Sequence, residues 1–225
     1  MSMKQIFEDN EPVFQNQAKY VTLKSCLLII ICMGTYTSIA LASNWLIVLI
    51  GCLLFSLLFY LIHRFQLQFI KLEPLKKTDI IYTISTLGIA LIMYWSVSAI
   101  IGQPQNQMEV YKDLNTLPLY ISIIIFVILG PFFEELIFRG FILKGVFKGH
   151  LLIGYIVSSV LFGLSHGPSS IGEFIIYFGI GVLFGALYLK TNRLEAAIVA
   201  HGLNNLAHIL IYLVFFNYIS CARAQ

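Results

Sequence analysis

Seven predominantly apolar runs, at 25–42, 45–62, 80–101, 117–143, 151–166, 171–189 and 196–217, occupy most of this 225-residue chain. A helix needs ~20 mostly apolar residues to cross the ~30 Å hydrocarbon core of a bilayer, where only helices and closed barrels satisfy their own backbone. Runs of this length predict an all-α fold, a polytopic membrane helix bundle of about seven transmembrane helices. The second run follows the first after only Ser43-Asn44, so these two form a tight helical hairpin. The fifth is short, bounded by Gly149 and Pro168, and the fourth is long and carries charge. Composition agrees, with 59% hydrophobic and 11% charged residues, whereas a soluble domain carries ~25% charge. Such apolarity also excludes intrinsic disorder, and four cysteines in 225 residues are too few for a secreted disulfide scaffold.

The basic residues report orientation, because cytoplasmic loops are enriched in Lys and Arg. With the N-terminus in the cytoplasm, Lys4, Lys19, Lys24, Arg64, Lys71, Lys76, Lys77, Lys144, Lys148, Lys190 and Arg193 lie inside, and Lys112 and Arg223 lie outside. The split of 11 to 2 predicts a cytoplasmic N-terminus. The net charge of +3 is spread over short loops, so no basic footprint for a nucleic-acid partner exists. The first twenty residues, with Glu8, Asp9, Glu11 and Pro12, do not resemble a cleavable signal peptide. Cys221 stands one residue too far from the end for a prenylation box. The polar stretch 102–116, with Gln103, Pro104, Asn106, Glu109, Asp113 and Asn115, reads as a loop. It divides the chain into 1–115, a cytoplasmic segment with three spans, and 116–217, a four-span core, leaving 218–225 as a short tail.

Ionisable groups at bilayer depth are costly, face the bundle interior and mark function. In Glu134-Glu135-Leu136-Ile137-Phe138-Arg139, Glu135 precedes Arg139 by four residues, the favourable order for an ion pair on one helix face. Glu134 points ~100° away at 3.6 residues per turn, so it is left as a free carboxylate. His166 ends the fifth run in Phe162-Gly163-Leu164-Ser165-His166, and His201 and Asn205 share a face of the seventh. A carboxylate, two imidazoles and an amide on three helices converge only in the interior, as a polar pocket in an apolar wall. Asn204 and His208, on the same helix, read as packing residues. Gly181 and Gly185 fit a small-xxx-small helix contact.

Glu134-Glu135-x-x-x-Arg139, Phe162-x-x-x-His166 and His201-x-x-x-Asn205, in that order on successive helices, resemble the CPBP family, the CAAX-protease and bacteriocin-processing intramembrane proteases also called the Abi family. The resemblance covers about residues 117–216; the first three spans match no family we can name. It implies hydrolysis of a peptide bond in a membrane-associated peptide or protein, with Glu134 and His166 activating a water and His201 and Asn205 stabilising the oxyanion. The residue types suit those roles, since a general base needs a carboxylate without a fixed cation and an oxyanion needs rigidly held N–H donors. Glu135 and Arg139 support the site from behind. Short length and lean loops look like a bacterial member, placed in the plasma membrane and acting on a bacteriocin or signalling peptide.

No metal is assigned from the sequence. It lacks the paired zinc motif H-E-x-x-H, and Asn205 is a poor zinc ligand, although Glu134, His166 and His201 would satisfy a three-ligand catalytic zinc. Two other classes stay open. One is a non-catalytic immunity or regulatory protein that binds a peptide or membrane partner. The other is a small transporter, for which an internal repeat is expected and none is evident. At ~1.5 Å per residue, His201 lies ~8 Å, Asn205 and Glu134 ~14 Å, and His166 ~22 Å from the cytoplasmic ends of their runs. These unequal depths lead to the expectation of a site in the cytoplasmic half, opening inward.

Overall fold

Asn44 starts a helix where the sequence turns back on itself, its Oδ1 accepting from the backbone N–H groups of Leu46 and Ile47 at 3.1 Å each. Caps of this kind satisfy N–H groups that a helix start leaves open. The computed structural model describes residues 7–8, 20–41, 44–71 and 73–223, with side chains described except at 40 and 216–223. Nearly all of the expected N-terminal cytoplasmic segment, Ser43 of the hairpin turn and residues 224–225 of the tail lie outside the described residues, as does the side chain of Cys221.

The helices are α1 (Val21–Ala40), α2 (Trp45–Arg64), α3 (Lys77–Ile101), α4 (Gln105–Thr116), α5 (Leu119–Val146), α6 (Leu151–Ser165), α7 (Ile171–Thr191) and α8 (Leu194–Arg223). Asp79 caps α3 by accepting from Lys76 N at 3.1 Å. Ser170 caps α7 by accepting from Glu173 N at 3.2 Å. Asn192, in the left-handed region at φ 51°, ends α7 with its N–H on Tyr188 O. Among the described residues, six helices are long and apolar enough to cross a membrane. The seventh apolar helix, α6, has 15 residues, ~22 Å at the α-helical rise, because Gly167 (φ 59°) and Pro168 stop it. The seven expected spans are thus six full-length helices and one short one. The last helix continues past the expected end at 217 to Arg223.

One expectation fails outright. The stretch read as a loop at 102–116 contains α4, which follows Pro104. Its apolar stripe is narrow, with Gln107, Tyr111 and Leu114 buried at helical spacing. Tyr111 and Leu114 cluster with Ile209 of α8, and Tyr111 stacks on Tyr212 at 4.1 Å. A helix that buries three side chains among nine polar or exposed positions leaves no apolar run to detect.

α5 lies inside the bundle, packed by α1, α6 and α8, while α7 packs on α3, α6 and α8. Surfaces are inverted relative to a soluble protein. Ile100 is 84% and Trp45 77% exposed, whereas Glu135 is 0% and Arg139 1% exposed. Gly181 and Gly185 let α7 approach α6, since a Cβ on Gly181 would stand 3.0 Å from Ser159 O and one on Gly185 2.9 Å from Tyr155.

The basic loops gather at one end of the bundle. Arg193 donates to Lys71 O and Pro74 O at 3.4 Å, and Lys144 Nζ to Asn192 Oδ1 at 3.4 Å. At the other end, Gln105 N donates to Glu173 Oε1 at 3.3 Å and Asn106 Nδ2 to Tyr177 OH at 3.4 Å, tying α4 to the start of α7.

Candidate active site

α5 is not a uniform α-helix. Two π-helical stretches, Ile124–Leu129 and Leu136–Val146, flank an α-helical turn, Gly130–Glu135. Pro131 in that turn has no N–H to contribute to the ladder, and wide turns of this kind are common at functional sites. Gly130 is needed there, because a Cβ would stand 3.1 Å from Ile125 O and 3.4 Å from Tyr36 OH. The turn carries Glu134 and Glu135 side by side, facing different neighbours.

Glu135 is fully buried and bridges two elements. Its Oε2 lies 3.0 Å from Arg139 Nε, the ion pair expected from the spacing. Its Oε1 lies 2.9 Å from His201 Nδ1 on α8, a contact that the sequence does not announce. Arg139 is held in turn, donating from Nη2 to Gly181 O at 3.0 Å with its guanidinium 4.6 Å from the Phe162 ring centroid. Charges buried this deeply are tolerated only when paired and hydrogen-bonded. The Glu135–Arg139 pair therefore also fixes the ring of His201.

Glu134 faces the imidazoles from the other side. Its Oε2 lies 3.8 Å from His166 Nε2 and 3.9 Å from His201 Nε2, and it has no hydrogen-bond partner among the described residues. His166 Nδ1 lies 2.8 Å from Phe162 O. A carbonyl accepts and never donates, so this Nδ1 carries the proton and a neutral ring keeps its lone pair at Nε2. The four-residue spacing of Phe162 and His166 thus has a mechanical meaning: the carbonyl one turn back sets the tautomer. His166 also stacks on Tyr177, with ring centroids 4.2 Å apart. The same logic applies to His201, whose Nδ1–H points at a carboxylate. Three acceptors, one carboxylate oxygen and two ring nitrogens, converge on one point.

Asn205 Nδ2 donates to Phe126 O, in the first π-helical stretch, at 2.9 Å. This uses one of its two N–H bonds and turns the amide toward α5. Asn204 Nδ2 lies 3.4 Å from Asn205 Oδ1. Glu134, His166, His201 and Asn205 all line a cavity of about 350 Å³, with Glu135 and Arg139 behind its wall. Sequence reasoning missed the opposite wall, which includes Tyr36 of α1, Tyr94 of α3, and Asn106 and Gln107 of α4. Asn204 and His208, read from sequence as packing, also reach the cavity.

Two expectations about depth need correction. Contacts of 3.8 and 3.9 Å bring to one level residues whose counts along their helices gave ~8 to ~22 Å, because the helices do not start flush. The cavity also reaches α4, which lies at the end of the bundle opposite the basic loops. An inward opening is therefore incompatible with an orientation that places those loops in the cytoplasm.

The donor chemistry at Glu134, His166 and His201 suits zinc, but the spacing is too open. Ligands of a tetrahedral zinc bound at ~2.0–2.1 Å stand about 3.4 Å apart, against the 3.8 and 3.9 Å found here. No group of three His, Cys, Asp or Glu among the described residues is placed to hold a metal ion.

Residues 116–207 match the family model of the Rce1-like, type II CAAX prenyl endopeptidases. The chain is 34% identical over 151 residues to the membrane-embedded CAAX protease MroQ of Staphylococcus aureus, a match covering 60% of each chain. It is 30% identical over 127 residues to YdiL of Bacillus subtilis, covering 56% of this chain and 50% of that one. With the UPF0177 protein YvdC of Lactococcus lactis it shares 28% identity over 155 residues, 62% of this chain and 59% of the relative. The chain thus spans half to three-fifths of the length of the curated relatives it matches. No solved structure matches it.

Proposed function

We propose that this chain, whose residues 116–207 match the Rce1-like family model, is an intramembrane endopeptidase of the CPBP kind. The observation that carries this reading is the convergence of Glu134 Oε2 with the Nε2 atoms of His166 and His201 inside one cavity. Two ring nitrogens at 3.8 and 3.9 Å from one carboxylate oxygen suit a bridging water, which supplies two donors and brings the base within reach of its proton.

In the proposed reaction, a water donates one hydrogen to Glu134 Oε2 and the other to His166 Nε2. Its oxygen attacks the scissile carbonyl carbon as Glu134 takes the first proton. The resulting oxyanion is met by the free N–H of Asn205 and by His201 once its Nε2 has taken a proton, its Nδ1–H staying on the buried Glu135 carboxylate. Collapse of the intermediate breaks the C–N bond, and Glu134 returns its proton to the leaving amine. Preorganised donors of this type are worth ~10²–10³-fold in rate, and here Glu135, Arg139 and Phe126 O supply the preorganisation. No step passes through a metal. Activity that survives complete removal of metal supports this route, whereas activity restored only by zinc overturns it.

The substrate is a membrane-associated peptide or protein, and a bacteriocin or signalling peptide fits the family better than a prenylated chain in a bacterial plasma membrane. With the N-terminus cytoplasmic, the α4 end of the cavity meets the outer face. Labelling of a single cysteine introduced at Asn115 by an impermeant reagent added outside intact cells tests that orientation. Comparing membrane proteins and secreted peptides from cells with the wild-type gene and with Glu134→Ala identifies the substrate. A Glu134→Ala protein that cleaves at the wild-type rate overturns the protease reading. A biological effect retained by Glu134→Ala and His166→Ala would make binding, not cleavage, the function.

A further inference from the structure

α8 presents two polar pairs to the cavity, and the proposed reaction uses only His201 with Asn205. The second pair is Asn204 and His208, four residues apart and so on one face. Both line the cavity and both are more than nine-tenths buried, at 3% and 2% exposure. Asn204 Oδ1 and both ring nitrogens of His208 have no hydrogen-bond partner among the described residues. His208 packs against Tyr94 with ring centroids 4.0 Å apart, which fixes the ring and satisfies neither nitrogen. Buried polar groups are nearly always paired. Packing accounts for the burial of these two side chains but not for three buried polar atoms left without partners on residues that line a cavity.

The chemistry of the open atoms selects the ligand. A neutral imidazole offers one donor and one acceptor, and an amide oxygen accepts. Among the described residues that line the cavity, Glu134 alone is Asp, Glu, Lys or Arg, and the proposed reaction occupies it, so a charged ligand group at the second pair would have no counter-charge of its own. A main-chain peptide unit, uncharged, with one N–H and one C=O, matches this set. Resting on the endopeptidase reading above, we propose that Asn204 and His208 form a main-chain subsite that holds the peptide unit next to the scissile bond. His208 donates to its carbonyl, and Asn204 Oδ1 accepts from its N–H. Asn204 also lies against Asn205 Oδ1, so occupation of the subsite aligns the amide that meets the oxyanion. Contacts to main chain fix the register of a substrate without selecting its side chains.

The chain has five histidines, which makes ¹⁵N-histidine NMR of the full-length protein in nanodiscs a direct test, with Glu134→Gln present to stop turnover. The probe is an equimolar pool of N-acetylated, C-amidated apolar decapeptides at millimolar concentration. The His208 signals, identified by their loss in His208→Gln, are expected to shift when the pool is added. Asn204→Leu should weaken that response about tenfold, the worth of one to two hydrogen bonds. In the wild-type background, His208→Phe should slow cleavage of every pool member about tenfold without reordering them, and His208→Gln, which keeps a donor and an acceptor, should stay within about threefold. Thermal unfolding of each variant separates loss of binding from loss of fold. His208 signals that do not move overturn the subsite, as does a folded His208→Phe protein that cleaves the pool at the wild-type rate. A protein that cleaves nothing while its His208 signals respond overturns the endopeptidase reading and leaves the subsite standing.

Discussion

α2 and α7 are nearly the same length, 20 and 21 residues, and α2 is the more apolar, yet only 11% of the α2 window is buried in the bundle against 50% for α7. Apolarity in a membrane protein measures what faces lipid. Burial measures what faces other helices, and lipid tails are as apolar as a leucine core, so close packing and polar contacts drive helix association instead. α7 meets α3 and α6 through glycines, packs on α8 as well and gives a backbone carbonyl to Arg139, while α2 packs chiefly on α1. Sensitivity to substitution should therefore follow the polar network and the close contacts, not hydropathy.

The largest effect is expected at Glu135. Glu135→Ala leaves Arg139 and His201 buried without the carboxylate that both contact. Breaking a buried pair by removing one partner costs ~3–5 kcal/mol, which should appear as a large drop in thermal unfolding temperature in detergent. Arg139→Ala should match it. If either loses less than a typical surface substitution, the network is not what organises the bundle.

Next is Gly181 on α7. A Cβ there would press on Ser159 O and Cα at 3.0 and 3.2 Å, and backbone yields less readily than a side chain. Gly181→Ala should cost ~1–3 kcal/mol, as overpacking does elsewhere, and should lower cleavage as well because the Gly181 carbonyl seats Arg139. Gly88 on α3 gives the counterpart. Nothing lies within 4 Å of a Cβ at that position, so Gly88→Ala should raise stability by up to ~1 kcal/mol through helix propensity. Opposite signs from two mid-helix glycines would show that contact, not residue type, decides the outcome.

What the sequence could and could not disclose follows the same division. Hydropathy located all seven apolar helices, because each is a local run. The Glu135–Arg139 pair was legible because its partners are four residues apart on one helix. Phe162 and His166 were legible as a spacing, although the reason, a carbonyl fixing a tautomer, needed coordinates. The Glu135–His201 bond joins residues 66 apart in sequence, and no periodicity connects them. α4 was invisible for the opposite reason: it is local, but its stripe of three buried residues is too thin to register. Nothing in the sequence singles out Tyr36 and Tyr94, and only the fold turns them toward the cavity. Helices that carry none of the family motifs thus complete the site that those motifs begin.

The smallest effect is expected at Leu49 in α2. It is 47% exposed in the most apolar helix of the chain, so hydropathy alone would rank it among the residues that hold the protein together. Leu49→Ala removes methyl groups that face lipid in the folded bundle. In detergent, the unfolded reference state keeps the helix in an apolar micelle, so the same groups stay solvated by alkyl chains on both sides of the equilibrium. No cavity forms, because lipid or detergent fills the gap, and the large cavity penalty of a core leucine does not arise. The change should stay within ~0.5 kcal/mol, as for substitutions away from packed features, and cleavage should be unaltered. A loss above ~2 kcal/mol, in the range of a buried leucine, would mean that the outer face of α2 is covered by another protein surface and that its low burial describes one chain, not the assembled state.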